Sequence, residues 1–430
     1  MLFAALILLA SPVWAQDTPS DLTPAQVFQL AEARAAAGAV EDASVLYDAL
    51  SRDPDPEIRA EARYRKGLLL ADAGRYDAAA VAFRALLDEK PDAIAARLEL
   101  ARMFAAMGRE ADARRELRQA RATGIPPDAA PLVDQFAAAI RSPKGLGGSF
   151  EIGLAPDTNI NRATQARTLD TIIAPLTLSE DARAQSGLGL RVAGQAYGRL
   201  GLTDQISVVP RVSTLSNVYD DKRFNDVSAS ALLGLEWRAG LDRVTASAGR
   251  TYRWFAGDLY ASTDVVSVDW VHPLDGRSQL VVSGSAARAS YKLNALQNGG
   301  LYDASASYER ALDARSGISL SISGTRQSAE DPGYATWGGG VTAGSWLETN
   351  WGTIFASVGA RRTEGDERLF LFPERRKDWM VLARAGVTLR ALTVADMSPT
   401  IRLNVEDNSS TVGIYDYRRM AVEFGLSKAF

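Results

Sequence analysis

Residues 381–390, with the sequence VLARAGVTLR, carry apolar side chains at every second position from Val381 to Leu389. The alternate positions of the same stretch include Arg384 and Arg390. Successive side chains of a β-strand point to opposite faces, so this stretch predicts a strand with one apolar and one polar face. The same alternation returns in residues 318–323 and 401–406. The C-terminal part of the chain is therefore predicted to form an antiparallel sheet.

The alternation begins after the glycine-rich stretch 145–148 and continues to the C-terminus. Short connections alternate with longer ones, as in barrels whose short turns lie in the periplasm and whose long loops lie outside the cell. Tryptophans lie near both kinds of connection, as expected for girdles at the two faces of a bilayer. Those near short turns are Trp237, Trp270, Trp346 and Trp351, and those towards long loops are Trp254, Trp337 and Trp379. We predict a transmembrane β-barrel of about fourteen strands over residues 144–430.

The last predicted strand ends at the C-terminal residue, Phe430. Phe424 and Phe430 lie on its apolar face, and Gly425 lies between them. A terminal aromatic residue after this glycine resembles the signal that outer-membrane barrel assembly machinery recognises. The expected partners of the barrel are therefore this machinery and the lipid of the outer membrane.

The polar face of the predicted strands is rich in charged side chains, and especially in arginine. The predicted lumen charges are Arg211, Glu236, Arg238, Asp269, Arg384, Arg390, Arg402 and Glu406. Isolated charges would be prohibitive in an apolar core, but they are tolerated where they line water or pair across it. The polar face therefore predicts a hydrated passage.

Residues 16–143 have a different character, with helical periodicity and a repeat of about 34 residues. Gly38, Gly74 and Gly108 are spaced by 36 and 34 residues. Glycine at the end of one helix, alanine at helix contacts and proline at the end of the unit resemble tetratricopeptide repeats. The residues that carry this resemblance are Gly67, Gly74, Tyr76, Ala79, Phe83, Pro91, Gly108 and Ala113. We predict a periplasmic helical domain, which in such stacks usually offers a concave surface to a partner protein.

Residues 1–15 read as a secretory signal peptide. An apolar run from Leu2 to Ala10 is followed by small residues at Val13 and Ala15, so we expect cleavage after Ala15. The whole chain is thus predicted to be multidomain α + β, with an exported helical domain followed by a barrel.

The composition argues against catalytic chemistry. The chain has no cysteine and only one histidine, His272, so thiol nucleophiles, catalytic triads and histidine metal clusters are not expected. The formal net charge of −4 shows no excess of basic residues for nucleic acid. We expect no enzyme activity, no cofactor, no metal and no nucleic-acid partner.

The combination of signal peptide, helical repeats and C-terminal barrel resembles the surface lipoprotein assembly modifier (Slam) family of type XI secretion. The closest local match follows the first predicted strand, where Asp157, Asn159 and Asn161 resemble that family's Asp-Ser-Asn-(Val/Ile)-Asn stretch. Thr158 stands where the family has serine, and aspartate and asparagine also favour turns on physical grounds.

The resemblance implies an outer-membrane translocator without ATP hydrolysis. Its partner would be a periplasmic client protein, either a surface lipoprotein or a secreted ligand-binding protein. The helical repeats would engage this client and the barrel would act as the conduit. Two alternatives remain open at this point: a polysaccharide-export porin with a tetratricopeptide domain, and a passive porin.

Overall fold

The computed structural model describes residues 22–122, 145–389, 392 and 397–429. The expected signal peptide, Arg390 and Phe430 lie outside the described residues. The N-terminal part contains six helices. They are α1 (Pro24–Ala36), α2 (Val40–Leu50), α3 (Pro56–Asp72), α4 (Tyr76–Glu89), α5 (Ile94–Ala106) and α6 (Glu110–Ala122). Within the described ranges, no helix has both the length and the hydropathy needed to cross a membrane.

The repeat glycines end the first helix of each pair. Gly38, Gly74 and Gly108 have φ angles of 75°, 73° and 79°, which is the left-handed conformation that glycine adopts without steric cost. Gly67 has a different role, because a Cβ atom there would lie 2.6 Å from the ring of Phe83. A glycine at this position lets α3 and α4 pack closely. The 34-residue spacing is thus a spacing of helix ends and helix contacts.

The helices bury two apolar clusters, a smaller one of α1, α2 and α3 and a main one of α3 to α6. Phe83, Ala79 and Ala113 are fully buried, and the main cluster joins residues of α3, α4, α5 and α6. Tyr64 meets Phe83 edge to face at 5.8 Å between ring centroids, a favourable aromatic geometry. Because α3 contributes residues to both clusters, the helices form one stack rather than independent pairs.

The C-terminal part is a closed antiparallel barrel of fourteen strands. The first seven are β1 (Leu146–Asp157), β2 (Gly187–Gly198), β3 (Ile206–Tyr219), β4 (Asp226–Ala239), β5 (Asp242–Phe255), β6 (Asp258–Pro273) and β7 (Ser278–Tyr291). The others are β8 (Gly299–Ala311), β9 (Ser316–Gln327), β10 (Thr336–Glu348), β11 (Thr353–Arg368), β12 (Arg375–Thr388), β13 (Ser398–Ser410) and β14 (Tyr417–Ala429). Each strand pairs with the next one, and β14 pairs with β1. The predicted order of helical repeats followed by a barrel of about fourteen strands is confirmed.

The outer face of the barrel is apolar. Val268, Val341 and Phe424 are each about half exposed, like many other large apolar side chains that alternate along the strands. Such a surface is stable against lipid, and closure satisfies the backbone hydrogen bonds of every strand edge.

Trp346 departs from the expected girdle. It lies on the opposite face of β10 from the exposed Val341 and Leu347, so its ring points inward. The indole lies on Gly317, its cross-strand partner on β9, where a Cβ atom would overlap the ring. Strand alternation, and not proximity to a turn, decides which face a tryptophan occupies.

Candidate functional site

The short-turn end of the barrel carries the docked helical domain. Tyr197 on β2 donates its hydroxyl hydrogen to the carbonyl oxygen of Gly108 at 2.6 Å. Arg315, in the turn before β9, donates to the carbonyl oxygen of Asp88 at 2.5 Å. These bonds place the ends of α4 and α5 directly over the barrel turns.

The first cluster of buried charges at this docking surface is built around Glu110, the first residue of α6. Arg238 and Arg243 reach its two carboxylate oxygens at 2.7 and 3.0 Å, and Arg199 also pairs with it. Glu236 on β4 accepts from the same Arg199 and Arg238, at 3.2 and 2.7 Å. Two acids and three arginines thus form one network, in which Glu110 is only 4% exposed.

The electrostatic balance at Glu110 favours its ionised form. Burial opposes ionisation, but Arg199, Arg238 and Arg243 outweigh it and lower the pKa of Glu110 to about 2. A carboxylate in the first turn of a helix also interacts favourably with the helix dipole. Glu110 is therefore charged at any pH that the periplasm reaches.

A second buried cluster joins α4, α5 and α6 to β10. Arg84 donates to Glu348 of the barrel at 2.6 Å and to Glu116 of α6 at 2.5 Å. Arg97 donates to Glu116 at 2.8 Å and to Gln119 at 3.0 Å. Burial lowers the pKa of Arg84, but Glu116 and Glu348 more than compensate and raise it above its ordinary value. Arg84 thus pairs with one carboxylate from the helices and one from the barrel.

A third contact is made by Arg118, also on α6. Arg118 donates to Gln279 of β7 at 2.6 Å and to Glu309 of β8 at 3.1 Å. Together the three contacts reach barrel strands from β2 to β10. Buried, multiply hydrogen-bonded ion pairs of this kind fix a geometry, because losing one partner leaves an uncompensated charge.

The sequence signalled none of the helix residues in these clusters. Arg84, Glu110, Glu116 and Arg118 lie on helices whose charged positions would ordinarily face water. Their barrel partners are 89 to 264 residues away along the chain. The predicted lumen residues Glu236 and Arg238 do take part in the network.

The other predicted lumen charges that the structure describes, Arg211, Asp269, Arg384, Arg402 and Glu406, line the inner face of the barrel at several levels. Arg402 pairs with Glu151, and also with Glu423 at 3.5 Å. Asp269 accepts a hydrogen bond from Ser283 at 2.6 Å. Arg211 and Arg384 form no hydrogen bond with any described residue. The passage wall is thus partly cross-linked and partly cationic.

The segment that follows β1 braces the outer end of the barrel. Asn159 is fully buried; its side-chain amide donates to the carbonyl oxygens of Ala163 and Arg418, at 2.8 and 3.0 Å. Asp157 accepts the backbone N–H of Asn159 at 2.9 Å and pairs with Arg419 at 2.7 Å. These contacts tie the start of the first outer loop to β14.

Two neighbours of this brace extend it. Asn161 donates to the carbonyl oxygen of Arg183 at 2.8 Å and accepts the N–H of Gln185 at 3.1 Å. Glu406 accepts from Arg162 at 2.9 Å and from Arg419 at 2.7 Å. The brace therefore closes the first outer loop on itself and connects β1, β14 and β13.

In the part of the chain that the structure describes, no group of three or more metal-ligating side chains has the geometry for a metal ion. Every acid named in the docking contacts and in the outer brace is paired with arginine. This arrangement can hold two domains together and line a passage.

The solved structures that match the chain include outer-membrane proteins. OmpT of Vibrio cholerae shares 9% identity and a TM-score of 0.40, over 66% of this chain and 97% of that chain. The DcaP channel of Acinetobacter baumannii also shares 9% identity, with a TM-score of 0.39, over 66% of this chain and 96% of that chain. The comparison with curated proteins found no match.

Two family models match the chain. A tetratricopeptide-repeat model matches residues 70–132. A model described as surface lipoprotein assembly modifier matches residues 148–430. The protein lies in the outer membrane, with its helical domain on the periplasmic side. Because the second match spans nearly the whole barrel, the chain belongs to the surface lipoprotein assembly modifier family.

Proposed function

We propose that this protein delivers a periplasmic client, a surface lipoprotein, across the outer membrane. The helical repeats engage the client, and the barrel conducts it to the cell surface. The observation that carries the proposal is the docking of the helical stack on the barrel mouth through buried ion pairs. A client held by the stack stays beside the entrance, where its effective concentration is raised.

The proposal divides the work between two kinds of surface. The helical stack has the extended form on which repeat proteins bind partners. The barrel interior has charged walls, with Arg211 and Arg384 not bonded to any described residue. Such a lumen suits a hydrated polypeptide and requires no covalent chemistry, so we infer that the protein is not an enzyme.

Removing the helical domain tests this division of labour. Cells would carry either the full chain or a chain lacking residues 21–141, together with an epitope-tagged surface lipoprotein from the same organism. Surface display is measured by protease accessibility on intact cells. We expect the truncated protein to assemble and to strand the lipoprotein in the periplasm.

The control is the heat-modifiable mobility of the barrel, which reports its assembly in the membrane. Near-normal display by an assembled, truncated barrel would mean that the barrel recognises the client itself. The proposed role of the repeats would then be wrong.

A further inference from the structure

A cavity of about 260 Å³ lies between α6 and the short turns of the barrel. We call it the α6 pocket. Arg114, Arg118 and Arg121 line its helical wall, at positions that share one face of α6. Asp204, Asp242 and Asp275 line its barrel wall, in or beside three consecutive turns. The pocket thus opens at the periplasmic mouth, between the two domains.

The acids of the pocket are already engaged. Asp242 accepts hydrogen bonds from the Trp270 indole at 2.9 Å and from His272 at 2.6 Å. Asp275 accepts the backbone N–H groups of Arg277 and Ser278 at 2.7 and 2.8 Å. The carboxylates of Asp242 and Asp275 thus already accept hydrogen bonds from groups of the barrel.

Arg114 is the exception among the charges of the pocket. It forms no hydrogen bond and no ion pair with any of the described residues, although it is partly buried. The acids nearest to it, Glu110 and Glu236, are shared among Arg199, Arg238 and Arg243. Burial and the neighbouring Arg243 lower the pKa of Arg114 to about 10, so it remains a cation in neutral solution. An unsatisfied cation of this kind is costly unless something else pairs with it.

We propose that the α6 pocket binds the carboxylate of an acidic side chain on a polypeptide at the barrel mouth. This inference rests on the proposed function, because the polypeptide would be the client on its way into the barrel. A guanidinium group can hold a carboxylate by two parallel hydrogen bonds. One uncommitted arginine matches a single negative charge, whereas a doubly charged phosphate would be repelled about twice as strongly by the three aspartates of the barrel wall. The side-chain amides of Gln205 and Gln279 line the same pocket and can bond to a peptide backbone.

The test uses the purified full-length protein in detergent micelles. The probes are two fluorescein-labelled hexapeptides, Gly-Glu-Gly-Glu-Gly-Glu and its glutamine counterpart, and binding is followed by fluorescence anisotropy. A hydrogen-bonded charge pair contributes a factor of about 10 to 100 in affinity. We expect the native protein to prefer the glutamate peptide about tenfold or more, and Arg114→Gln to abolish that preference.

Arg115→Gln is the matched control. Arg115 is the next residue of α6, but it pairs with Asp112 at 2.7 Å and does not line the pocket. It should retain the preference for the glutamate peptide. Equal binding by Arg114→Gln and the native protein, or equal losses in both variants, would overturn the proposal. Displacement of the peptide by inorganic phosphate at lower concentration than by acetate would also overturn it, in favour of a phosphate site.

Thermal unfolding separates a ligand-binding role from a structural one. Replacing an unpaired, partly buried arginine should leave the transition temperature unchanged or raise it, whereas losing a structural arginine lowers it. A lowered transition with unchanged peptide binding would overturn the proposal.

The binding test and the display test fail independently. If peptide binding depends on Arg114 while the truncated protein still displays the lipoprotein, carboxylate binding by the α6 pocket is supported and the proposed function is wrong. If truncation leaves the lipoprotein in the periplasm while Arg114→Gln binds the glutamate peptide like the native protein, carboxylate binding by the α6 pocket is wrong and the proposed function is supported.

Discussion

Glu110 is the residue at the docking surface on which three arginines of the barrel converge. Replacing it with glutamine would leave Arg199, Arg238 and Arg243 with Glu236 as their remaining acid in the cluster. Breaking a buried ion pair from one side costs about 3–5 kcal/mol. We expect Glu110→Gln to release the helical domain while the barrel stays folded.

Distance measurements between spin labels would detect the release. The native chain has no cysteine, so Val45→Cys and Leu293→Cys, both at exposed positions, introduce the only thiols. Electron paramagnetic resonance should show a narrow distance distribution for the parent protein and a broad one for Glu110→Gln. Glu61→Gln, which removes a surface acid paired with Arg65, is the control and should keep the narrow distribution. A narrow distribution in Glu110→Gln would contradict the prediction.

The same residue predicts how docking depends on pH. Its pKa is about 2 when docked, against an ordinary value of 4.5, so the docked state is favoured above pH 4.5 and loses that advantage as pH falls towards 2. A shift of this size corresponds to about 3 kcal/mol. The label distances should therefore stay constant between pH 7 and pH 5 and broaden only below about pH 3. Broadening already at pH 5 would mean that Glu110 is not the acid that holds the domains together.

Asn159 provides a residue-scale prediction at the opposite end of the barrel. Its amide satisfies two backbone carbonyls from a fully buried position, so Asn159→Ala leaves these groups without a partner. We expect a loss of about 1–3 kcal/mol in stability, measured as a lower temperature for the heat-modifiable mobility shift. Asn294→Ala, which removes an exposed loop contact, should change that temperature little. An equal fall in that temperature in both variants would contradict the prediction that Asn159 stabilises the barrel more than an exposed loop residue does.

At the scale of elements, the first outer loop is folded and not extended. Leu169 packs with Phe372 and Val412 from two other outer loops. The backbone N–H of Ile172 bonds to the carbonyl oxygen of Leu371 at 3.0 Å. Ile173 is 75% exposed at the tip between two short strands of this loop, Thr168–Leu169 and Leu176–Thr177. The loop thus has a buried base and an exposed tip.

An epitope inserted after Ile173 should be reached by antibody on intact cells, because a periplasmic helical domain places this loop outside. An epitope inserted after Leu22 in the helical domain should be reached only after permeabilisation. Labelling of the second site on intact cells would reverse the topology.

What the sequence could predict at this scale depended on local periodicity. Strands such as β12 follow from alternation within ten residues, and the helix ends follow from the spacing of Gly38, Gly74 and Gly108. The docking clusters could not be predicted in this way. Glu110 meets Arg238 and Arg243 across 128 and 133 residues, and a charged position on a helix does not reveal whether its partner is water or another domain. The inward orientation of Trp346 was not predicted for a related reason. Its assignment to the girdle rested on its closeness to a turn and not on the face that its position in the strand alternation gives it.

At the scale of the whole molecule, the docked helical domain stands over part of the barrel entrance. Ions crossing the barrel from the periplasmic side must pass the docked stack. Removing residues 21–141 should therefore raise the single-channel conductance in a planar bilayer. Equal conductance of the full and truncated proteins would show that the stack does not restrict the entrance.

Because the docking contacts are spread over many strands, barrel assembly must precede docking of the helical domain. The helical domain is made first and leaves the inner membrane first, yet the surface that receives it combines Tyr197 on β2 with Glu348 on β10. That surface exists only when nine consecutive strands stand in register. If insertion of the barrel stops part-way, the helical stack therefore stays undocked in the periplasm. The charged side chains of its docking surface are then exposed to water, and the stack is accessible to proteases. Docking of the helical stack therefore occurs only after most of the barrel strands have formed.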